Sequence, residues 1–128
     1  MKPLLLGLLA LLVPGSAWAC LPGFETASKV TRDGATVAWK SEPAKIITGA
    51  PFALELAVCP AATRLSVDAH MPAHRHGMNY QPSIRALGEG RFRAEGLVLH
   101  MPGAWEFVFE VVNAAGKLTR LTANYQAP

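Results

Sequence analysis

Between residues 52 and 59 the chain alternates: Phe52, Leu54, Leu56 and Val58 are large and apolar, and Ala53, Glu55, Ala57 and Cys59 lie between them. The period recurs where Trp105, Phe107, Phe109 and Val111 alternate with Glu106, Val108, Glu110 and Val112. A repeat of two marks an extended strand with one buried face, because successive side chains leave a strand on opposite sides. Thr36 to Lys40, Leu65 to Ala69, Phe92 to Leu99, and Leu118 to Tyr125 follow the pattern less cleanly. Turn-forming residues separate these runs at Asp33-Gly34, Gly49-Ala50-Pro51, Gly88-Glu89-Gly90, Pro102-Gly103 and Ala115-Gly116. Beyond the first 19 residues, no segment shows a helical period capped at both ends. About six or seven short strands at this spacing predict an all-β chain, a small antiparallel β-sandwich of immunoglobulin-like type.

The start of the chain predicts its compartment. Met1-Lys2, the apolar run from Leu4 to Val13, and Ala17-Trp18-Ala19 match the basic, hydrophobic and cleavage regions of a secretory signal peptide over residues 1–19. The mature chain is then one domain, residues 20–128, with Cys20 first and the periplasm as its expected location. The apolar run is shorter than the roughly 20 residues a membrane-spanning helix needs, and no later stretch approaches that length. A cysteine directly after the cut also permits lipid anchoring as in bacterial lipoproteins, although Ala17-Trp18-Ala19 fits ordinary cleavage after small-x-small better. The formal charge of the whole chain is +3, and the leader takes Lys2 with it. So weak a bias, with scattered basic residues, gives no footprint for nucleic acid.

Cys20 and Cys59 are the two cysteines of the chain. An even count in an exported protein reads as a disulfide, here joining the mature N-terminus to the end of an expected strand. The competing reading makes one or both thiols metal ligands, but no CxxC spacing supports it.

The stretch HMPAHRHGMNY, residues 70 to 80, contains His70, Met71, His74, His76 and Met78. The tripeptide His70-Met71-Pro72 recurs as His100-Met101-Pro102, which contains the remaining histidine. Pro72 and Gly77 break regular pairing, so the first cluster is expected in a loop at one end of the sandwich, where sites on a rigid sheet usually lie. If the His100 segment turns at the same end, all four histidines of the chain meet Met71, Met78 and Met101 in one small volume. His74, His76 and Met78 share one side if that stretch is extended, with His100 or Met101 completing the set from across the fold.

This set of donors suits copper. Thioether sulfur is soft and neutral and favours Cu(I), while imidazole serves either oxidation state. Zinc sites draw on cysteine, histidine and carboxylate, and calcium and magnesium on oxygen; here Asp68 is the one nearby acid and no cysteine is close. Taken singly, each residue has a plainer reading. His70 and Met71 would pack or lie on the surface, methionines fill gaps in cores, Arg75 is a solvated charge, Tyr80 a partly buried ring that could wall a site, and Trp105 core. The cluster as a unit favours metal binding, because unrelated histidines would be spread along the chain.

The stretches DAHMPAHRHGMNYQPSI and GRFRAEGLVLHMPGAWEFVFEV resemble the YtkA-like family, small exported or membrane-tethered domains related to the FixH proteins, some of them linked to copper handling or cytochrome oxidase maturation. The likeness covers most of Asp68 to Val111; Cys20 to Val58 matches only in general character. It implies an immunoglobulin-like sandwich whose copper site maps onto Met71, His74, His76 and Met78.

The reading that follows is a periplasmic copper-binding protein that buffers Cu(I) or Cu(II) or carries it to an acceptor. The alternative is a non-catalytic interaction module in which Met71, Met78 and Tyr80 meet a protein partner, for example a membrane or oxidase assembly factor. Catalysis is not expected. No Ser-His-Asp arrangement or paired acids lie by the cluster, and a blue-copper centre would need a cysteine beside two histidines.

Overall fold

The computed structural model describes residues 20–128; the expected signal peptide, residues 1–19, lies outside them. The described residues form nine strands and no α-helix. These are β1 (Ser28–Arg32), β2 (Ala35–Glu42), β3 (Phe52–Cys59), β4 (Ala62–Met71), β5 (His76–Gly77), β6 (Ser83–Gly88), β7 (Arg91–Leu97), β8 (Gly103–Asn113) and β9 (Leu118–Ala127). They build two antiparallel sheets, ordered β1-β2-β3-β7-β6 and β5-β4-β8-β9. Without the outer strand β1 and the two-residue β5, the orders β2-β3-β7-β6 and β4-β8-β9 are those of an immunoglobulin constant-type sandwich.

The alternation read in the sequence sets the core. Leu54, Leu56 and Val58 from one sheet meet Trp105, Phe107, Phe109 and Val111 from the other, with Val37, Leu65, Val67, Leu97, Leu99 and Leu121 around them. The second face of β3 is not simply solvated. Ala57 and its neighbour Ala38 are covered by Leu21 and Phe24 from the segment before β1, a small second cluster on the outer face of the five-stranded sheet. The Cys20–Cys59 disulfide, with Cα atoms 5.8 Å apart, fastens that segment down. The Cys20 sulfur is therefore bonded to Cys59, and neither cysteine is a metal thiolate.

Turn chemistry matches the expected punctuation. Asp33 (φ 48°) and Gly34 (φ 80°) close the β1–β2 hairpin with both central residues left-handed, the backbone a two-residue turn prefers. Gly90 (φ 73°), at the β6–β7 turn, is constrained differently: a Cβ there would lie 2.6 Å from the Val58 carbonyl oxygen and 3.1 Å from Ala61 Cα. Both contacts are backbone, so Gly90→Ala should cost about 2 kcal/mol or more. Chemical denaturation of the variant beside the wild type measures this.

β7 ends earlier than the sequence suggests. The expected strand reached Leu99, but pairing stops at Leu97. The β3–β7 register slips between Phe52 and Leu54, and Gly96 opposite adopts φ 83°. This bulge bends the strand. Val98, Leu99 and His100 leave the sheet, and the Leu99 carbonyl accepts a 2.8 Å hydrogen bond from Gly49 N–H of the β2–β3 connection. His100 is thereby carried to the end of the sandwich where β4 turns.

Candidate metal site

The His/Met stretch is a tight hairpin rather than an open loop. β4 continues through His70 and Met71; Pro72 to Arg75 make the turn, closed by a 3.1 Å hydrogen bond from His74 N–H to the Met71 carbonyl. Arg75 takes the left-handed conformation (φ 53°), and β5 returns alongside β4. Gly77 permits the close return, since a Cβ there would stand 3.3 Å from the Ala69 carbonyl. Met78 N–H extends the pairing by donating to that same carbonyl at 3.2 Å.

Register then sorts the candidate ligands between two faces. Met71 pairs with His76, and His70 with Gly77. Directly opposed residues share a face, and successive residues do not. Leu65, Val67, Ala69 and Met71 are buried and Ser66, Asp68 and His70 are not, so Met71 and His76 lie on the core side. Met71 is 1% exposed, and Gly103 leaves room for it: a Cβ on Gly103 would come within 2.9 Å of the Met71 methyl. His70 is on the outer face. Its Nε2 is 3.5 Å from Glu106 Oε1 on the facing strand, and it borders a polar pocket with Ser66, Asp68, Gln81, Glu110 and Arg120. The expectation that all four histidines share one volume is corrected here, because His70 points away from the others.

The other three imidazoles form a row. The ring centres of His74 and His76 are 5.7 Å apart, and those of His76 and His100 are 5.1 Å apart, with interplanar angles of 33° and 34°. Trp105 lies against two of them, meeting His76 edge-to-face at 6.0 Å and His100 at 5.4 Å. Its indole N–H donates to the Met101 carbonyl at 2.9 Å, which holds the His100-Met101 connection against the sandwich. Met78 and Met101 are half-buried and pack against the main core. Sequence reading had Trp105 as core, which it is, but did not foresee it under the imidazoles. The strand alternation that buries it could have signalled this, had the location of His100 been known. Tyr80 is 72% exposed and walls nothing.

One atom in this row has no counterpart elsewhere among the histidines. Nδ1 of His100 is buried and has no hydrogen-bond partner. An unpaired buried polar atom costs about 1–3 kcal/mol, so such an atom calls for an explanation. No acid is at hand to partner it: residues 70–81 and 98–103 contain neither Asp nor Glu. Among the described residues, no three His, Cys, Asp or Glu side chains are already gathered as a metal cage. Any ion held here would draw on the thioethers of the stretch as well as on the imidazoles, a donor set that suits a soft ion.

No protein-family model matches the chain, and no curated protein sequence matches it significantly.

Proposed function

We propose that this is an exported copper-binding protein that buffers the ion or carries it to an acceptor, with His76 and His100 as its central ligands. His74, Met71, Met78 and Met101 are the groups from which the remaining donors come. The observation that carries the reading is the buried, unpartnered Nδ1 of His100, set 5.1 Å ring-to-ring from His76. Two imidazoles on one tetrahedral ion, with metal–nitrogen distances of about 2.0 Å, have ring centres about 5 Å apart. The resemblance of the Asp68–Val111 region to the YtkA-like domains supports the same reading. So does the disulfide, which suits an oxidising compartment such as the periplasm. With its sulfur bonded to Cys59, Cys20 bears no lipid in this reading. No helix among the described residues is long and apolar enough to cross a membrane.

Imidazoles at a strand end and in a short connection, at one end of the sandwich, suit transfer from one protein to another. Tyr80 and Ile47, at 72% and 58% exposure, are large apolar groups left bare. Tyr80, beside the hairpin, favours a second reading, in which the hairpin is a contact for an assembly factor without any metal; Met71, buried in the core, takes no part in that contact.

Competition with a chromophoric chelator tests the proposal, using the mature protein with Cu(I) under anaerobic conditions and separately with Cu(II). One equivalent withdrawn from the chelator in either oxidation state is the expected result. Failure to compete in both would overturn the copper reading and leave the contact surface.

Protonation supplies another check. An imidazolium has no lone pair to give, so Cu(II) affinity should fall steadily from about pH 7.5 to about pH 5. A flat profile would remove histidine from the coordination shell.

A further inference from the structure

We infer that the core-face site is selective for Cu(I) over Cu(II), and that the strand alternation of β4 and β8 makes it so by turning the nearby carboxylates to the other side of the sheet. The inference rests on the copper reading above and adds the oxidation state of the cargo. β4 turns Met71 inward and His70 outward. With His70 on the outer face go Glu106, 3.5 Å from its Nε2, and Asp68, whose Oδ1 accepts a 2.8 Å hydrogen bond from Ala69 N–H. What stays on the core side is neutral: the imidazoles of His76 and His100, with His74 at the turn, and the thioethers of Met71, Met78 and Met101.

Charge decides against Cu(II) in that setting. The cost of taking an ion out of water grows with the square of its charge, so a divalent ion loses about four times what a monovalent one does. An anionic ligand normally offsets the difference, and residues 70–81 and 98–103 supply none. Ligand softness works in the same direction, since thioether favours Cu(I), whereas Cu(II) prefers a tetragonal set of nitrogen and oxygen donors. Trp105 packs against both His76 and His100, closing one side of the pair to the water or carboxylate such a set would include.

The experiment compares Cu(I) and Cu(II) affinities of the wild type with those of three variants: Met71→Leu/Met78→Leu/Met101→Leu, the milder Met78→Leu/Met101→Leu, and His70→Ala/Glu106→Gln. Met-to-Leu swaps conserve volume, and the milder variant touches only half-buried positions, so one of the two is expected to keep the wild-type unfolding transition. We expect the wild type to bind Cu(I) the more tightly. Removing thioethers should weaken Cu(I) by about tenfold or more and change Cu(II) by no more than about twofold. His70→Ala/Glu106→Gln should leave Cu(I) affinity unchanged. A wild type that binds Cu(II) as tightly as Cu(I), a methionine variant that loses both equally, or a His70/Glu106 variant that loses Cu(I) would each overturn the inference while leaving copper binding in place. Failure to bind either ion would overturn both.

Discussion

On the copper reading, His76→Ala/His100→Ala is expected to lower copper affinity by about 100-fold or more without destabilising the fold. Loss of a group that merely orients a metal ligand typically costs about 10- to 100-fold in affinity, so loss of two ligands should exceed that range. The expected stability is the less obvious half of the result. Nδ1 of His100 is buried without a partner, so the metal-free protein already bears the desolvation cost of that atom. Deleting the ring removes the cost along with the packing against Trp105, and the two changes oppose each other. His100→Leu isolates the first term, because it keeps the volume without the nitrogen; it should raise stability by up to about 1 kcal/mol while weakening copper binding. Urea denaturation of metal-free protein, beside a chelator competition on the same samples, reads both quantities. If His100→Leu proves strongly destabilising, the nitrogen has a structural role and the main support for the copper site is gone.

Cys20→Ser/Cys59→Ser should cost about 2–4 kcal/mol of stability and leave copper affinity intact. The bridge spans 39 positions, and opening it returns that loop to the unfolded chain's freedom, an entropy term in this range. Against a typical total of about 5–15 kcal/mol this is a large fraction. The bond also holds down a segment that other contacts secure only in part. Lys40 Nζ and Arg91 Cζ lie 4.6 Å and 4.7 Å from the centre of the Phe24 ring, and the two side chains donate hydrogen bonds to the carbonyls of Gly23 and Pro22. Leu21 and Phe24 are therefore expected to loosen from Ala38 and Ala57 without the sandwich itself opening. Cys59 ends β3 at the opposite end of that strand from Phe52, which pairs with Leu97 just before the His100 connection. The site is thus remote from the bridge. An equal loss of copper affinity in this variant would place a cysteine in the metal shell, against the bonded pair described above.

The strands that sequence reading missed are informative. β1 and β6 are the outer strands of the five-stranded sheet, and most of their side chains are exposed. A strand with little to bury has no reason to alternate, so SKVTR and SIRALG have no readable period. Strand ends were misjudged for a related reason. The apolar residues Val98 and Leu99 continue the character of β7, yet the bulge at Gly96 takes them off the ladder and into the core edge. Hydrophobicity reports burial and is silent about which partner provides it.

Features that depend on neighbours along the chain could be read directly from the residues. The two-residue period of Phe52–Cys59 and Trp105–Val112, the left-handed turn at Asp33-Gly34 and the soft, acid-free composition of residues 70–81 are all local. From them follows an antiparallel sandwich, and they motivate the copper reading proposed above. Which side chains meet depends on long-range packing. His70 and Met71 are adjacent in the chain and lie on opposite sides of a sheet, whereas His76 and His100 are far apart in the chain and have ring centres separated by 5.1 Å. The reason is physical: a strand reverses its face at every residue, so a slip of one position in the β4–β5 pairing would have exchanged the members of the site. That register is held by the pairing of the turned chain with β4 and by the burial of Met71. The return of His100 depends on the bulge at Gly96 and on the hydrogen bond that Gly49 donates to the Leu99 carbonyl, and the partner of that bond comes from a distant connection.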